Sequence, residues 1–523
     1  MIRRIKQKVR NYFTLKYDAC YQQELDRQVQ VYDTWIREKE AKEKEQKPEI
    51  IWDLSKEEDG NLKKNTQTAI FSYAELEKFS EFEKKALAVS QEADYVILTQ
   101  EPQDIRREAF DIIKQSFEEH PEAEVVYGDE EEINSNGKIR MNPWLKPDYS
   151  PDTLYSYFYF GSLVAFRKES FAYALKKLCE RKEENGQVFL DEEDSFIKET
   201  IENGKKNLYA LVLESCLNLR REQVLHLKHM LVSSHNITYW GYEKEYDRIR
   251  EHYLNLRERE EIKGISIIIP SKDNPKVLER CLYSIAEHSK DRLYEIIVVD
   301  NGSDNQNKAA IKNLQQTYGF QYLYEVMEFN FSKMCNKGAH KAKYDTLLFL
   351  NDDCEVRTTD WLNNMTRMSS VKDTGAVGAK LYYPESRRIQ HCGIYNIHLG
   401  PVHKLQFKED DKVYYDRKNL GVRNVLAVTA ACLMVRKSVF MSVGGFDEEL
   451  QVAFNDVDLC YKLYEAGYNN VVNNEVYLWH YESLSRGSDE SPAKLNRLMQ
   501  EKKKLYQKHT KLWEEDPYYH PGF

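Results

Sequence analysis

The stretch Leu347–Val356, LLFLNDDCEV, joins four apolar residues to Asn351, Asp352 and Asp353. An apolar run of this kind buries a strand on both faces, as in the middle of a parallel sheet. The polar triplet then leaves the carboxyl end of that strand, the edge at which open α/β sheets bind ligands. Two adjacent carboxylates are hard oxygen ligands, better suited to Mg²⁺ or Mn²⁺ on a diphosphate than to zinc. Acidic pairs are also ordinary in turns, so the doublet takes its meaning from its neighbours.

Those neighbours repeat the pattern. Ile265–Pro270 (ISIIIP) reads as a buried strand running into a loop, and Glu295–Asn305 (EIIVVDNGSDN) as a second strand ending in Asp300. Between them Pro275–His288 carries Val277, Leu278, Cys281, Leu282 and Ile285 at helical spacing. Alternating strands and helices predict an α/β fold with a mostly parallel, doubly wound sheet. Polar residues gather at three strand ends: Ser271 and Asp273, then Asp300, then Asn351 to Asp353.

In this order the chain resembles the family 2 glycosyltransferases, inverting enzymes with the GT-A nucleotide-sugar fold, over roughly Gly264–Ser488. The segments that carry the resemblance are IIIPSKDN, VVDNGS, Asn330–Ala339 (NFSKMCNKGA), Asn351–Asp353, Gly375–Lys380, Gln390–Ile394 (QHCGI), Ala430–Arg436 (AACLMVR), Gly444–Asp447 (GGFD) and Phe454–Tyr461 (FNDVDLCY). The resemblance implies that Pro270, Ser271, Asp273, Asn336, Asn351 and Asp352 hold a nucleotide-sugar. It implies that Asp300 reads the N3–H of uracil or thymine, and that Asp353 with His480 binds a divalent metal, Mg²⁺ or Mn²⁺. Asp456 takes the position of the catalytic base, with Asn455 where a glutamate is more usual. Arg486, in YLWHYESLSRG, lies in a loop that would fold over the diphosphate and offer planar donors to its oxygens. Taken alone, Asp456 or Asp458 also fits a simple helix N-cap, and His480 between Trp479 and Tyr481 a packed, hydrogen-bonded histidine.

Composition bounds the reading. The chain has 523 residues, 41% hydrophobic with 36 tyrosines and 21 phenylalanines, enough for two or three domain cores. No apolar run approaches the ~20 residues of a membrane span; the longest, Val425–Val435, reads as a buried strand. The start MIRRIKQKVRNYF lacks a secretory apolar core, and nine scattered cysteines form no Cys-x-x-Cys pair, so a reduced, cytoplasmic setting is expected. A net charge of −10 argues against nucleic acid as a partner. The first seventeen residues are basic and interleaved with apolar side chains. They fit a peripheral contact with an anionic membrane, or equally a solvated helix end.

The expected domains are a basic helical extension (1–49), a degenerate glycosyltransferase-like domain (50–223), a helical linker (224–262), the catalytic domain (263–490) and a C-terminal helix with tail (491–523). The second domain is inferred from internal repetition. Ala93–Gln103 (ADYVILTQEPQ) lies on Asp345–Glu355 so that Thr99, Gln100 and Glu101 take the places of Asn351, Asp352 and Asp353. AFRKESF (Ala165–Phe171) parallels MVRKSVF (Met434–Phe440), and Phe189–Gly204 parallels Phe454–Gly467 with Glu192 near the base position. The first copy lacks the metal doublet and reads as a truncated, inactive GT-A-like domain that positions acceptor or partner.

The expected activity is transfer of one sugar from a UDP- or dTDP-linked donor to a growing surface polysaccharide or lipid-linked oligosaccharide, with rhamnose suggested by the resemblance of FNDVDLC. Two other readings stand beside it. One is a non-catalytic assembly subunit. The other is a nucleotidyltransferase, disfavoured because SKDNP (Ser271–Pro275) is not a Gly-rich basic phosphate loop.

Overall fold

The computed structural model describes residues 68–72, 75–76, 82–86, 93–134, 139–184, 199–237, 239–290, 292–397, 400–481, 492–513 and 515–520. The basic N-terminal segment, Glu192 and Arg486 lie outside them. The described parts form two compact units, one of residues up to Tyr149 together with Tyr157–Asn255, the other of Ser150–Ser156 with Leu256–Phe523.

The N-terminal unit holds a six-stranded sheet. Its strands are β1 (Thr68–Ser72), β2 (Tyr95–Thr99), β3 (Val125–Ile133), β4 (Arg140–Trp144), β5 (Leu163–Arg167) and β6 (Val224–Ser234). They run in the order β1-β2-β5-β3-β4, with β6 also paired to β3. Strand β6 corrects the expected helical linker. Its Val224, Leu231 and Val232 are buried, and it runs parallel to β3, so tertiary pairing overrides the local helical composition. Helix begins only at Asp247–Leu256, which buries Ile249 and Tyr253.

In the C-terminal unit the strands are β7 (Ile265–Ser271), β8 (Tyr294–Asp300), β9 (Gln321–Tyr324), β10 (Thr346–Leu350), β11 (Cys354–Val356), β12 (Thr374–Tyr382), β13 (Ile389–His391), β14 (Tyr395–Ile397), β15 (Gly400–Val402), β16 (Val422–Asn424), β17 (Cys432–Arg436) and β18 (Asn469–His480). Apart from the β14/β15 hairpin they make one ten-stranded sheet, ordered β11-β18-β12-β17-β10-β7-β8-β9 with β13 on β12 and β16 on β18. The parallel strands β10, β7 and β8 are the ones the sequence predicts, and β9 extends the block beyond β8. Strand β17 runs antiparallel between β10 and β12, which makes the whole sheet mixed.

Both faces of this sheet are covered. Ile268, Leu347, Phe349, Leu433 and Val435 face one core, and Ile267, Ile269, Leu348, Leu350 and Met434 face the other, the two-residue alternation of strands. Leu278, Cys281, Leu282 and Ile285 of the helix Pro275–His288 close the second core. Met334, Cys335 and Ala339 of the helix Phe331–Lys341 close the first. Gly338 allows that approach, because a Cβ there would overlap the side chain of Ile268. The expected strand Val425–Val435 is broken. Val425–Val428 are buried without a ladder, the chain turns at Thr429–Ala431, and β17 starts at Cys432. The described cysteines, Cys179 to Cys460, are free thiols. No described helix is long and apolar enough to cross a membrane.

The helix Asn455–Glu465 is held from its far side by the C-terminal segment. His509 lies 3.1 Å from Asp458 and 2.9 Å from Glu465. Burial pushes the imidazole down, but the two carboxylates outweigh it and hold its pKa above the ordinary histidine value. A raised histidine stabilises the fold fully below its unfolded pKa, and that contribution fades as pH rises through the folded value. The pair should therefore contribute roughly 1–3 kcal/mol at about pH 6 and little at about pH 9. Urea denaturation of wild type and His509→Gln at both pH values is expected to show a large difference at the lower pH and a small one at the higher.

Candidate active site

Strand ends build the site. β10 is buried along its length, and the backbone N–H of Asn351 donates to the carbonyl of Ala431 at 3.0 Å, so the ladder carries one residue past the strand. Beyond it Asp352 and Asp353 turn under the sheet edge, each 5% exposed. They line a cavity of about 660 Å³ together with Pro270, Ser271, Asp273, Asn351, Asp456 and His480. Eight of the residues singled out in the sequence thus meet in one place.

Asp352 accepts a hydrogen bond from the Ser271 hydroxyl at 2.7 Å. Its carboxyl is pushed up to about 7, first by burial and then by the charge of Asp353, while Ser271 and His480 pull the other way. His480 closes β18, where it sits opposite Cys354 of β11. Its Nδ1 is 2.7 Å from Gln390 Oε1, an atom that can only accept, so the Nδ1 proton is committed to that bond. In the neutral ring Nε2 then carries a lone pair, 3.3 Å from the Asn351 amide nitrogen and 3.1 Å from Asp353 Oδ1. Two electron-pair donors facing each other inside a buried, acidic corner fit a hard divalent cation. Cys354 lies close enough to join them but belongs to the core: its thiol donates to the Ala431 carbonyl, and burial pushes its pKa well up.

Asp456 enters from the helix Asn455–Glu465. The preceding Phe454 holds φ 58°, a left-handed conformation costly for a bulky residue, which sets where the helix starts. Asp456 Oδ1 accepts the N–H of Val457 at 2.9 Å and Oδ2 the N–H of Ala430 at 3.1 Å. The second bond comes from the turn that interrupts the Val425–Val435 run. Each oxygen keeps a lone pair for another partner, and the side chain is half-buried on the cavity wall. Asn455 lines the same wall, and its buried Nδ2 has no partner among the described residues.

Two expected residues lie elsewhere. Asp300 is wholly buried and outside the cavity lining: Oδ1 accepts the N–H of Ser303 at 2.9 Å and its hydroxyl at 2.7 Å, and Oδ2 accepts the Tyr322 hydroxyl. The Ser303 hydroxyl in turn accepts the N–H of Asp273 at 2.8 Å, so Asp300 stitches the loop after β8 to the loop after β7. Asn336 donates to the Phe446 carbonyl at 2.9 Å and to Glu448 Oε1 at 3.2 Å and accepts the Phe446 N–H at 3.0 Å. It lies outside the cavity lining. Gln390, His391, His403 and Gln406 line the cavity without having been singled out for a role. QHCGI was the available signal, but one motif does not reveal that Gln390 meets a histidine ninety positions later.

The six N-terminal strands β1, β2, β5, β3, β4 and β6 pair in the same order as β7, β10, β17, β12, β13 and β18, and the registers give the equivalent positions. Tyr95 pairs with Arg167 as Thr346 pairs with Arg436. Lys168 N–H donates to Asp94 as Lys437 does to Asp345, and Gln100 N–H to Ser162 as Asn351 does to Ala431. Gln100, Glu101 and Pro102 therefore stand at Asn351, Asp352 and Asp353, one residue along from the alignment expected from sequence. Matching the β3/β6 and β12/β18 pairings puts Ser234 at His480. Neither proline nor serine replaces a carboxylate or imidazole as a metal ligand. At the positions of Leu381 and Ala431 the N-terminal unit has Glu130 and Ser162, and Glu130 accepts from Ser162 N–H and from buried Lys146, each at 2.5 Å. An ion pair fills that corner.

Residues 266–444 match the family described as "Glycosyl transferase family 2". The chain is 30% identical over 465 residues to the "Uncharacterized protein y4gI" of Sinorhizobium fredii, covering 82% of this chain and 48% of that protein. It is 29% identical over 398 residues to the "O-antigen biosynthesis protein RfbC" of Myxococcus xanthus, covering 72% of this chain and 30% of that one. A shorter match, 36% identical over 74 residues, covers 14% of this chain and 24% of an "N-acetylglucosaminyl-diphospho-decaprenol L-rhamnosyltransferase" of Mycobacterium tuberculosis. The chain thus spans about half the length, or less, of these curated relatives.

Because Gln390 fixes the His480 tautomer, Gln390→Leu should weaken Mn²⁺ binding roughly 10- to 100-fold, the usual cost of losing a partner behind a metal ligand. Titration of Mn²⁺ followed by electron paramagnetic resonance, beside Asp353→Ala as the site-less control, measures it. Unchanged affinity in Gln390→Leu would exclude the orienting role.

Proposed function

Because residues 266–444 form a glycosyl transferase family 2 domain, we propose that the cavity performs an inverting, metal-dependent transfer of a sugar from a nucleoside-diphosphate donor to an acceptor hydroxyl. The observation that carries this reading is the convergence of a half-buried carboxylate, Asp456, and an acidic, imidazole-bearing corner, Asp353 with His480, on one cavity. The two chemical tasks of such a transfer need such a pair.

Asp456 acts as the base. The acceptor hydroxyl oxygen forms its bond to the anomeric carbon as its proton passes to the Asp456 carboxylate. The bond from that carbon to the diphosphate breaks, and its electron pair leaves with the diphosphate. Attack opposite the leaving group in a single displacement inverts the anomeric centre. Asp353 and His480 would hold a divalent cation, which would supply charge neutralisation for the departing diphosphate. Ser271 and Asn351 orient Asp352 and His480 around that corner. The N–H groups of Val457 and Ala430 keep the Asp456 carboxylate aimed into the cavity. Arg486, outside the described residues, would by the family resemblance add donors to the diphosphate.

A pyrimidine donor, UDP- or dTDP-linked, follows from the family resemblance of the segment around Asp300. Here Asp300 acts through the loop it ties to Asp273. The relatives named for O-antigen biosynthesis and for rhamnosyl transfer support a surface polysaccharide or lipid-linked oligosaccharide as acceptor and rhamnose as one candidate sugar. We assign the N-terminal unit a non-catalytic role, since Pro102 and Ser234 stand where the ligands would be.

Calorimetric binding of UDP and dTDP with and without Mn²⁺ tests the reading. Metal-dependent binding in the wild type, absent in Asp353→Ala, is expected. Asp456→Asn should retain that binding and lose transfer by about 10²- to 10⁴-fold, the usual worth of a positioned base. Full transfer by Asp456→Asn would remove the residue from the role, and no nucleotide binding by wild type would favour a scaffold.

A further inference from the structure

Strand β13 brings a histidine to the cavity that neither the metal corner nor the base requires. His391 is fully buried and lines the cavity wall. Its Nδ1 lies 3.0 Å from Nδ1 of His403, with the rings edge to face at 5.0 Å. Two imidazole nitrogens at that distance share one proton, so one ring donates and the other accepts. The second nitrogen of His391, Nε2, is buried and has no partner among the described residues.

The consequence holds for either position of the shared proton. If His403 donates, His391 carries its proton on Nε2 and presents an unused donor; if His391 donates, Nε2 is an unused acceptor. A hydroxyl satisfies both states, because it donates and accepts, whereas a carbonyl or an ammonium satisfies only one. A buried polar atom left without a partner is costly, which favours a ligand that supplies one. Position narrows the ligand further. Gln390, the preceding residue, holds the metal-facing His480, so His391 borders the corner where a diphosphate and its sugar meet.

The N-terminal sheet offers a natural comparison. Leu381 pairs with His391 in β12/β13, and Glu130, at the same sheet position, pairs with Trp144 in β3/β4. The unit that has Pro102 and Ser234 at the ligand positions has an indole in place of the imidazole. Metal corner and histidine are absent together.

We propose that His391, with its orientation set by His403, forms a subsite that reads a hydroxyl of the donor's sugar and so selects which glycosyl group the cavity accepts. This rests on the nucleotide-sugar reading of the same cavity. Neither residue takes part in bond making; both distinguish one sugar from another.

The test uses the full chain with Mn²⁺ and compares bare UDP and dTDP with UDP-glucose, UDP-galactose, UDP-N-acetylglucosamine and dTDP-rhamnose in calorimetry. In His391→Leu the affinity for bare nucleotide should stay at the wild-type value. The preference of wild type for its best sugar over the others should shrink roughly 10- to 100-fold, the penalty expected when a hydroxyl contact is removed. His403→Leu, at a half-buried position, should shrink it in the same direction, and His391→Gln, which keeps a donor and an acceptor, should restore part of it. Thermal melting confirms that each variant is folded, and His403→Leu alone suffices if His391→Leu is not. Unchanged sugar preference with intact nucleotide binding overturns the subsite and leaves the transferase reading standing. Loss of bare-nucleotide binding in a folded His391 variant also overturns it, by assigning the ring to the nucleotide. A wild type that binds neither nucleotide overturns the transferase reading, and the subsite with it.

Discussion

Asp352 and Asp353 are like charges on consecutive residues, each 5% exposed, and the C-terminal unit is arranged around that conflict. Water cannot relieve it at such burial, and like-charge repulsion is stronger in a low dielectric than at the surface. The protein answers with neighbours. Ser271 donates to Asp352, His480 is held toward Asp353 by Gln390, and Asp352 itself takes a pKa near that of a histidine. Every one of these partners comes from a different strand, β7, β18 or β13. The corner exists only when the sheet is fully assembled.

Assembly explains which parts of the molecule were legible in the sequence. Strands β7, β8 and β10 are continuous apolar runs with both faces buried, and the helix Pro275–His288 has an unmixed apolar stripe; such signals are local. Asn351 to Asp353, Ser271, Asp273 and Asp456 were legible because strand ends and helix starts fix where their side chains go. Other readings depended on distant partners. β6 is a strand because β3 offers an edge, and the Val425–Val435 run breaks where Ala430 must meet Asp456. Asp300 and Asn336 have the residue types of ligand binders and lie outside the cavity lining, where Asp300 bonds Ser303 and Tyr322 and Asn336 bonds the chain at Phe446. Gln390 and His391 were quoted for their motif and given no task, since their partners, His480 and His403, are fixed only by the sheet and the loop beyond it.

The two sheets separate what the fold needs from what the chemistry needs. The six N-terminal strands and their six C-terminal counterparts pair in the same order, and β2/β5 matches β10/β17 in register, so the hydrogen-bonded ladder and the alternating apolar faces carry that shared architecture. The residues that differ lie at or past the last ladder bond: Pro102 against Asp353, Ser234 against His480, Trp144 against His391. Positions outside the ladder contribute little to its pairing energy and can be exchanged without unravelling the sheet. In the N-terminal unit the exchanges fill the corner with the Glu130–Lys146 pair, whose carboxylate also accepts from Ser162. A buried ion pair needs its remaining bonds satisfied, and here Lys146 also donates to the Gly128 and Phe160 carbonyls.

It follows that likeness along the strands carries information about fold, and that information about activity resides in a few residues beyond their ends. The C-terminal unit keeps an open cavity at the cost of two buried carboxylates and an orphaned imidazole nitrogen, each unfavourable in a protein that only had to fold. The N-terminal unit has Glu101, Pro102, Ser234 and Trp144 at the equivalent positions, with the Glu130–Lys146 ion pair beside them. Polar atoms without internal partners are tolerated where something else completes them.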